Sequence, residues 1–238
     1  MDRCLAPELL DELPGHDPRA QRSRRDLRRI NAWMGNARLA AACLAPVARR
    51  TPPRRIVDLG AGDGTFLLRL TQLMPDLASG TELVLVDQGN AVDERVLTGL
   101  RDRGFHPRVE QADAWAWLRE LPTKSGTWVL ANLFLHHFTA SHLRAALATL
   151  SERTDLCCAC EPRRAAWPLM ASRLLWFIGA NAVTRHDAVV SVRAGFAGQE
   201  LSALWPGNTD WHLREHRTGL FSHLFLAQRA SGATHVSP

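Results

Sequence analysis

From residue 54 onward, short apolar runs alternate with amphipathic stretches along the chain. Ile56-Val57, Leu83-Val84-Leu85-Val86, residues 128–135 and residues 156–160 are nearly continuous in apolar side chains. Between the last two, Leu143, Ala146, Leu147 and Leu150 recur at i, i+3, i+4 and i+7, the spacing of one helix face. Apolar strands separated by helices predict a parallel sheet covered on both faces. A further strand is expected around residues 107–111. The end of the sequence reads differently: residues 211–217, then Gly219, then residues 220–228 form two strands joined by a tight turn. Ahead of the alternation, helices are expected over residues 20–33 and 37–49. Thr51-Pro52-Pro53 closes that region, because consecutive prolines cannot continue a helix. The expected organisation is a helical cap over residues 1–50, an α/β domain over 51–230 and a flexible tail over 231–238.

The first strand leads into Asp58-Leu59-Gly60-Ala61-Gly62-Asp63-Gly64, and a helix from Phe66 to about Met74 follows, ended by Pro75. Glycines there let a ligand approach the backbone, and the helix start presents free N–H groups and positive dipole. A dinucleotide fingerprint needs a third glycine three residues after the second; Thr65 stands there and argues against a dehydrogenase. The Asp-x-Gly-x-Gly-x-Gly pattern resembles the first motif of class I S-adenosylmethionine (SAM)-dependent methyltransferases. That resemblance implies a Rossmann-like α/β fold: a seven-stranded, mostly parallel sheet with a terminal antiparallel hairpin and helices on both faces. It also implies SAM as cofactor and S-adenosylhomocysteine as product.

Open α/β sheets bind ligands beyond the carboxyl ends of their strands, which directs attention to strand-end residues. On the family's pattern, Asp58, Gly60, Ala61 and Gly62 follow the first strand. Asp87, with Gln88 beside it, follows the second and would take the ribose hydroxyls, a task suited to an acceptor-only carboxylate. Asp113 and Ala114 follow the third, beside the adenine amino group. Asn132 ends the fourth and would face the methionine part. A single Asp at a strand end reads equally as a turn or cap residue; three after three successive strands read together as a binding site.

Residues 26–35, Asp-Leu-Arg-Arg-Ile-Asn-Ala-Trp-Met-Gly, resemble the helix before the domain in a bacterial subgroup of these enzymes. Asn-Leu-Phe-Leu-His-His-Phe at 132–138 and Ser-Val-Arg-Ala-Gly-Phe at 191–196 fit the same subgroup. It acts on quinone, phenolic and polyketide-type molecules. The resemblance implies methyl transfer to an oxygen, ahead of a carbon or nitrogen, of an apolar aromatic acceptor. A phenol with a pKa of about 10 needs a base at neutral pH, and imidazole titrates nearest the required range. His137 and His136 are therefore the catalytic candidates, with His137 preferred because it lies further beyond the strand. His186 is a weaker one. Arg29, Asn31 and Trp33 are candidates for a lid over the acceptor, and Trp167, Met170 and Arg193 for its pocket. Residues 166–183 read as a core helix, a pocket-lining helix or a face that touches a membrane; Pro168 and Arg173 argue against a span.

Composition adds restraint. Net charge is +5 over 238 residues, but nearly all the positive charge is Arg, Lys124 being the one lysine. This looks like compositional bias, and the only concentrated basic run, Arg19 to Arg29, leaves nucleic acid a disfavoured partner. The amide- and adenine-methylating Asn/Asp-Pro-Pro-aromatic motif is missing after the fourth strand, which points the same way. Cys4, Cys43, Cys157, Cys158 and Cys160 are expected as reduced, buried thiols, since no second pair completes a zinc spacing. No metal, no secretory leader and a cytoplasmic location are expected. An RNA methyltransferase, or a SAM-binding protein that no longer transfers methyl, remain the alternatives; acceptor identity and oligomeric state stay open.

Overall fold

Each apolar run forms a buried strand in the computed structural model, which describes residues 1–14, 16–89, 91–122, 126–207 and 210–230. The expected tail, 231–238, lies outside the described residues. The chain begins with three helices, α1 (Leu9–Glu12), α2 (Pro18–Met34) and α3 (Asn36–Ala48). Strand β1 (Arg55–Leu59) and helix α4 (Thr65–Leu73) come next, then β2 (Glu82–Asp87), α5 (Glu94–Arg101), β3 (His106–Gln111) and α6 (Ala114–Glu120). After β4 (Thr127–Asn132) come α7 (Ala140–Arg153), β5 (Leu156–Pro162), α8 (Ala166–Arg173), α9 (Ala182–Ala194) and α10 (Glu200–Leu204). The hairpin β6 (Trp211–Thr218) and β7 (Ser222–Arg229) ends the described fold.

The sheet order is β3-β2-β1-β4-β5-β7-β6, with β1 to β5 mutually parallel and β7 reversed between β5 and β6. Strand order reverses direction between β1 and β4, so a crevice opens beyond their carboxyl ends. Two apolar layers flank the sheet. Alternate residues decide the layer: Ile56, Leu83, Leu85 and Trp128 pack toward α3 and α4, whereas Val57, Leu59, Val84 and Val129 pack toward α6 and α7. The expected seven-stranded arrangement is the one observed. Helix α3 contributes Ala40, Ala41, Leu44 and Val47 to the first layer, so part of the region read as a cap is core.

Three local readings need correction. Strand β4 stops at Asn132 instead of running on to residue 135, because the Glu161 carboxylate draws the Phe134, Leu135 and His136 N–H groups into a 3-10 turn, Leu135–His137, with Leu133 at φ 55°. Residues 166–183 are not one helix: Gly179 at φ 76° ends a second 3-10 turn, Leu175–Ile178, and Asn181 caps α9 by accepting the Thr184 N–H. Nor is this stretch core: Trp167, Met170, Leu174, Trp176, Phe177 and Ile178 are all exposed. Cys157, Cys158 and Cys160 are buried strand thiols as expected, but Cys4 is exposed and Cys43 half-buried. Among the described residues no helix is long and apolar enough to cross a membrane.

Candidate functional site

The loop after β1 is pinned to β2, with the Gly60 and Ala61 N–H groups both donating to the Val86 carbonyl. Its three glycines do different jobs. Gly60 (φ 67°) lies under the Phe134 ring, and a Cβ there would come within 2.2 Å of Phe134 Cδ2. Gly62 (φ 55°) meets nothing within 4 Å and is the position where a ligand can reach the backbone. A Cβ at Gly64 would lie 2.8 Å from Leu85 Cδ2, so its smallness lets α4 and α5 close on β2.

Around this loop the strand-end carboxylates converge. Asp87 accepts the Gly62 N–H and the Gly89 N–H, each at 2.8 Å. Asp113 caps α6 by accepting the Ala116 N–H and also accepts the Gln88 side-chain amide, both at 2.8 Å. The Gln88 and Asp113 side chains are exposed, at the outer end of the row, and Ala114 is buried beneath them. Asp58 is buried, and its Oδ2 has no hydrogen-bond partner. Burial first, and then the like charges of Asp87 and Asp63, push its carboxyl up to about 8. A buried acceptor without a donor is costly, and a cationic or N–H-bearing ligand in the crevice would supply one. Asn132 accepts a bond from Asn36 at 2.8 Å, and Asn36 in turn accepts the Ser222 hydroxyl at 2.6 Å. The buried Asn36, at the start of α3, thus fixes the end of β4 to β7; nothing in its sequence setting marks that role.

A second site lies past the end of β4. Here a cavity of about 340 Å³ is lined by Leu5, Pro7, Glu8, Asp11, His136 and His137, with Val190 and Ala194 of α9 behind. His136 is buried with Nδ1 2.8 Å from Glu161 Oε2 and Nε2 3.6 Å from Glu8 Oε1. Burial lowers its pKa, but the two carboxylates outweigh that and raise it to about 9. His137 is exposed, its ring centroid 4.2 Å from that of His136; partial burial and the His136 charge hold it below the usual histidine range. The two neighbouring histidines are thus shifted in opposite directions, His136 up and His137 down.

The N-terminal strip that walls this cavity is tied down by residues far along the chain. The buried carboxylate of Asp187 accepts the Leu9 and Leu10 N–H groups at 2.8 and 3.0 Å. Arg3 donates to the Ala194, His136 and Phe138 carbonyls and stacks 4.6 Å over the Phe196 ring. Arg164 donates to the Met1 carbonyl and to Glu200. Sequence reading missed this strip, Glu161 and Asp187. The one signal was a Glu directly after five apolar residues in 156–160, a charge that had to be buried with the strand.

The remaining candidates stand apart from the cavity. Trp33 is 81% exposed, Arg29 is exposed and Asn31 is half-buried. Arg28, one residue before Arg29, comes within 4.0 Å of Asp63 in the glycine loop, so α2 does pass over the loop. Trp167, Met170 and Arg193 are exposed and line no part of the cavity. His186 pairs with Asp187 at 2.9 Å.

A parallel sheet ordered 3-2-1-4-5-7-6 with one reversed strand, and a glycine loop at its switch point, is the class I methyltransferase fold. Among solved structures, an O-methyltransferase family protein from Burkholderia thailandensis shares it at 16% identity and TM-score 0.56, with 92% of this chain matched to 62% of that one. The pyocyanin biosynthetic protein PhzM aligns at 17% identity and TM-score 0.54, over 90% of this chain and 60% of its own. A structure described under the conversion of a disulfide bond into a thioacetal group during echinomycin biosynthesis aligns at 18% identity and TM-score 0.55, over 83% of both chains. This chain therefore spans about three fifths of the first two structures, and at these identities the likeness is one of fold. No protein-family model matches the chain, and no curated protein matches it.

Proposed function

We propose that this protein is a SAM-dependent methyltransferase acting on an oxygen of an apolar aromatic or polyketide-like small molecule. The observation that carries the reading is the buried, partnerless Asp58 oxygen beside a glycine loop whose central glycine opens on free space. Asp58 would hold the amino group of the cofactor, Asp87 the ribose hydroxyls, and Asp113 with Gln88 the adenine edge. Bound SAM supplies an electrophilic methyl group. Everything else falls to this chain: to exclude water, to hold the acceptor in line, and to remove the hydroxyl proton. His137, uncharged and at the cavity surface, is the imidazole placed to accept that proton. His136, held between Glu161 and Glu8, orients the turn that carries it. The phenolic and polyketide-type subgroup named by the sequence resemblance sets the acceptor class. That neighbours in fold include an O-methyltransferase family protein and proteins of pyocyanin and echinomycin biosynthesis supports the same direction.

Calorimetric titration with SAM, S-adenosylhomocysteine and NADH tests the first half. Binding of both sulfur ligands and none of NADH is expected; binding of NADH alone would overturn it. Mass analysis of phenolic and quinone acceptors after incubation with SAM tests the second half, through the gain of one methyl group.

A further inference from the structure

The side chains at the mouth of the 340 Å³ cavity have a composition that proton chemistry alone does not require. Glu8, His136 and His137 each present a donor atom, and the three lie within 4.8 Å of one another. They come from two segments, the N-terminal strip and the turn after β4, which Arg3 ties together while Asp187 ties the strip to α9. The His136 Nε2 to Glu8 Oε1 separation of 3.6 Å is beyond hydrogen-bond range. It is close to the roughly 3.4 Å between two donors sharing a tetrahedral ion with bonds of about 2.0–2.1 Å. His136 is also oriented as a ligand. Its Nδ1 faces the fully buried Glu161 carboxylate at 2.8 Å, which leaves Nε2 directed at Glu8. A histidine whose second nitrogen is fixed by a carboxylate is the recurrent supporting arrangement of zinc sites. Glu8 is itself steadied by the Ser191 hydroxyl.

We propose that Glu8, His136 and His137 form a binding site for a divalent first-row transition ion of the zinc type, open on the cavity side. Two imidazoles and one carboxylate select such an ion over magnesium or calcium, which favour oxygen donors. Three protein ligands and a free position facing a cavity make the open kind of site, in which water or a hydroxyl-bearing molecule completes the coordination. Asp11 lines the same space, so the site carries a second carboxylate on its wall. An ion there engages the lone pair of His137. With His137 occupied as a ligand, an acceptor hydroxyl on the ion would pass its proton to the Asp11 carboxylate on the cavity wall or to solvent water, in place of imidazole. The proposal departs from the metal-free site expected from the sequence, where Glu8 was not visible as a partner of the histidine pair.

The full chain, treated with chelator and exchanged into metal-free buffer, is titrated with Zn²⁺ against a chromophoric competitor and with Co²⁺ by visible absorption. One ion per chain is expected, with Co²⁺ giving the ligand-field bands of a four- or five-coordinate site. Glu8→Ala and His137→Asn should each weaken binding by no less than the roughly 10–100-fold typical of losing an outer-shell partner. Cys4→Ser, at the exposed thiol within the strip, should leave it unchanged. Neither Glu8 nor His137 is buried, so both variants are expected to keep the parent melting temperature. No saturable binding, or binding indifferent to Glu8→Ala and His137→Asn, overturns the site. Binding lost in Cys4→Ser alone assigns the ion to the thiol and overturns it too. The site rests on the methyltransferase reading only for its role and would replace His137 as the base; SAM titration of the same samples reads cofactor binding separately, so loss of the ion site and loss of the cofactor site are distinguishable.

Discussion

The two candidate sites at the carboxyl ends of the strands are built in opposite ways. On the β1–β2–β3 side, the glycine loop and the carboxylates Asp58, Asp87 and Asp113 follow their strands directly. The bonds of Asp87 and Asp113 run to backbone N–H groups close by in the chain or on the neighbouring strand end, and to the Gln88 amide after β2. On the β4–β5 side, the chemistry rests on single long-range contacts: Arg3 to Ala194, Leu9 to Asp187, His136 to Glu161. The first site is a motif and the second an assembly. A motif can hold the constant part of a reaction, the cofactor, while an assembly from distant segments can be re-cut to admit a different acceptor without disturbing it.

Breaking the assembly side should have the largest consequences. His137→Ala is expected to lower turnover of a phenolic acceptor by roughly 10²–10⁴-fold with SAM affinity intact, read by steady-state kinetics and calorimetry on the same sample. An equal loss of SAM affinity would show that the two sites are not separable. Glu161→Ala strips a buried imidazolium and three backbone donors of their common acceptor, and should cost about 3–5 kcal/mol of stability by denaturant unfolding. A loss under about 1 kcal/mol would mean that His136 finds another partner or deprotonates.

On the motif side the effects are smaller. Asp87→Ala should weaken SAM roughly 10–100-fold, the loss of one or two charged hydrogen bonds; unchanged affinity would move the ribose elsewhere. Gly60→Ala and Gly62→Ala share a left-handed strain of about 1–2 kcal/mol, but only the first also collides with Phe134. Gly60→Ala should therefore destabilise more, and Phe134→Ala should relieve that excess while doing nothing for Gly62→Ala.

The remaining prediction concerns pH. The Asp58 carboxyl binds its proton more tightly folded (about 8) than its ordinary value of 3.8. Its contribution to stability is thus complete below the ordinary value and is lost as pH rises through about 8. Asp58→Asn should flatten that decline, measured as melting temperature against pH. If the cofactor's ammonium group pairs with Asp58, SAM binding at neutral pH should release close to one proton, seen as a buffer-dependent heat that the variant lacks. An unchanged buffer dependence would place the amino group elsewhere.

How far the sequence could be read follows the same division. The strands, the glycine loop and the carboxylates after β1, β2 and β3 were legible because each rests on local spacing: an apolar run, a turn, a charge. The reversed β7 was legible from Gly219 between two strand-like runs, although the turn is longer than drawn and β7 begins at Ser222. What was not legible are residues whose role depends on a partner far away in the chain. Glu8 and Asp187 carry no local signal of their own until the fold brings α9 against the N-terminal strip. The end of β4 was drawn three residues too far because Leu133, Phe134 and Leu135 continue the apolar pattern. Only the buried Glu161, on another strand, explains why the chain turns there.

The N-terminal strip also sets an order of events. Its anchors lie 133 to 191 residues away, at the end of β4 and along α9, so closing those loops carries a large entropic cost and cannot precede the sheet. Residues 1–12 must wait, unpaired, for Asp187 and Ala194 to be synthesised and packed. The cavity past β4 is therefore expected to close late in folding and to open early. Hydrogen exchange should find the Leu9 and Leu10 amides opening well before those of β1.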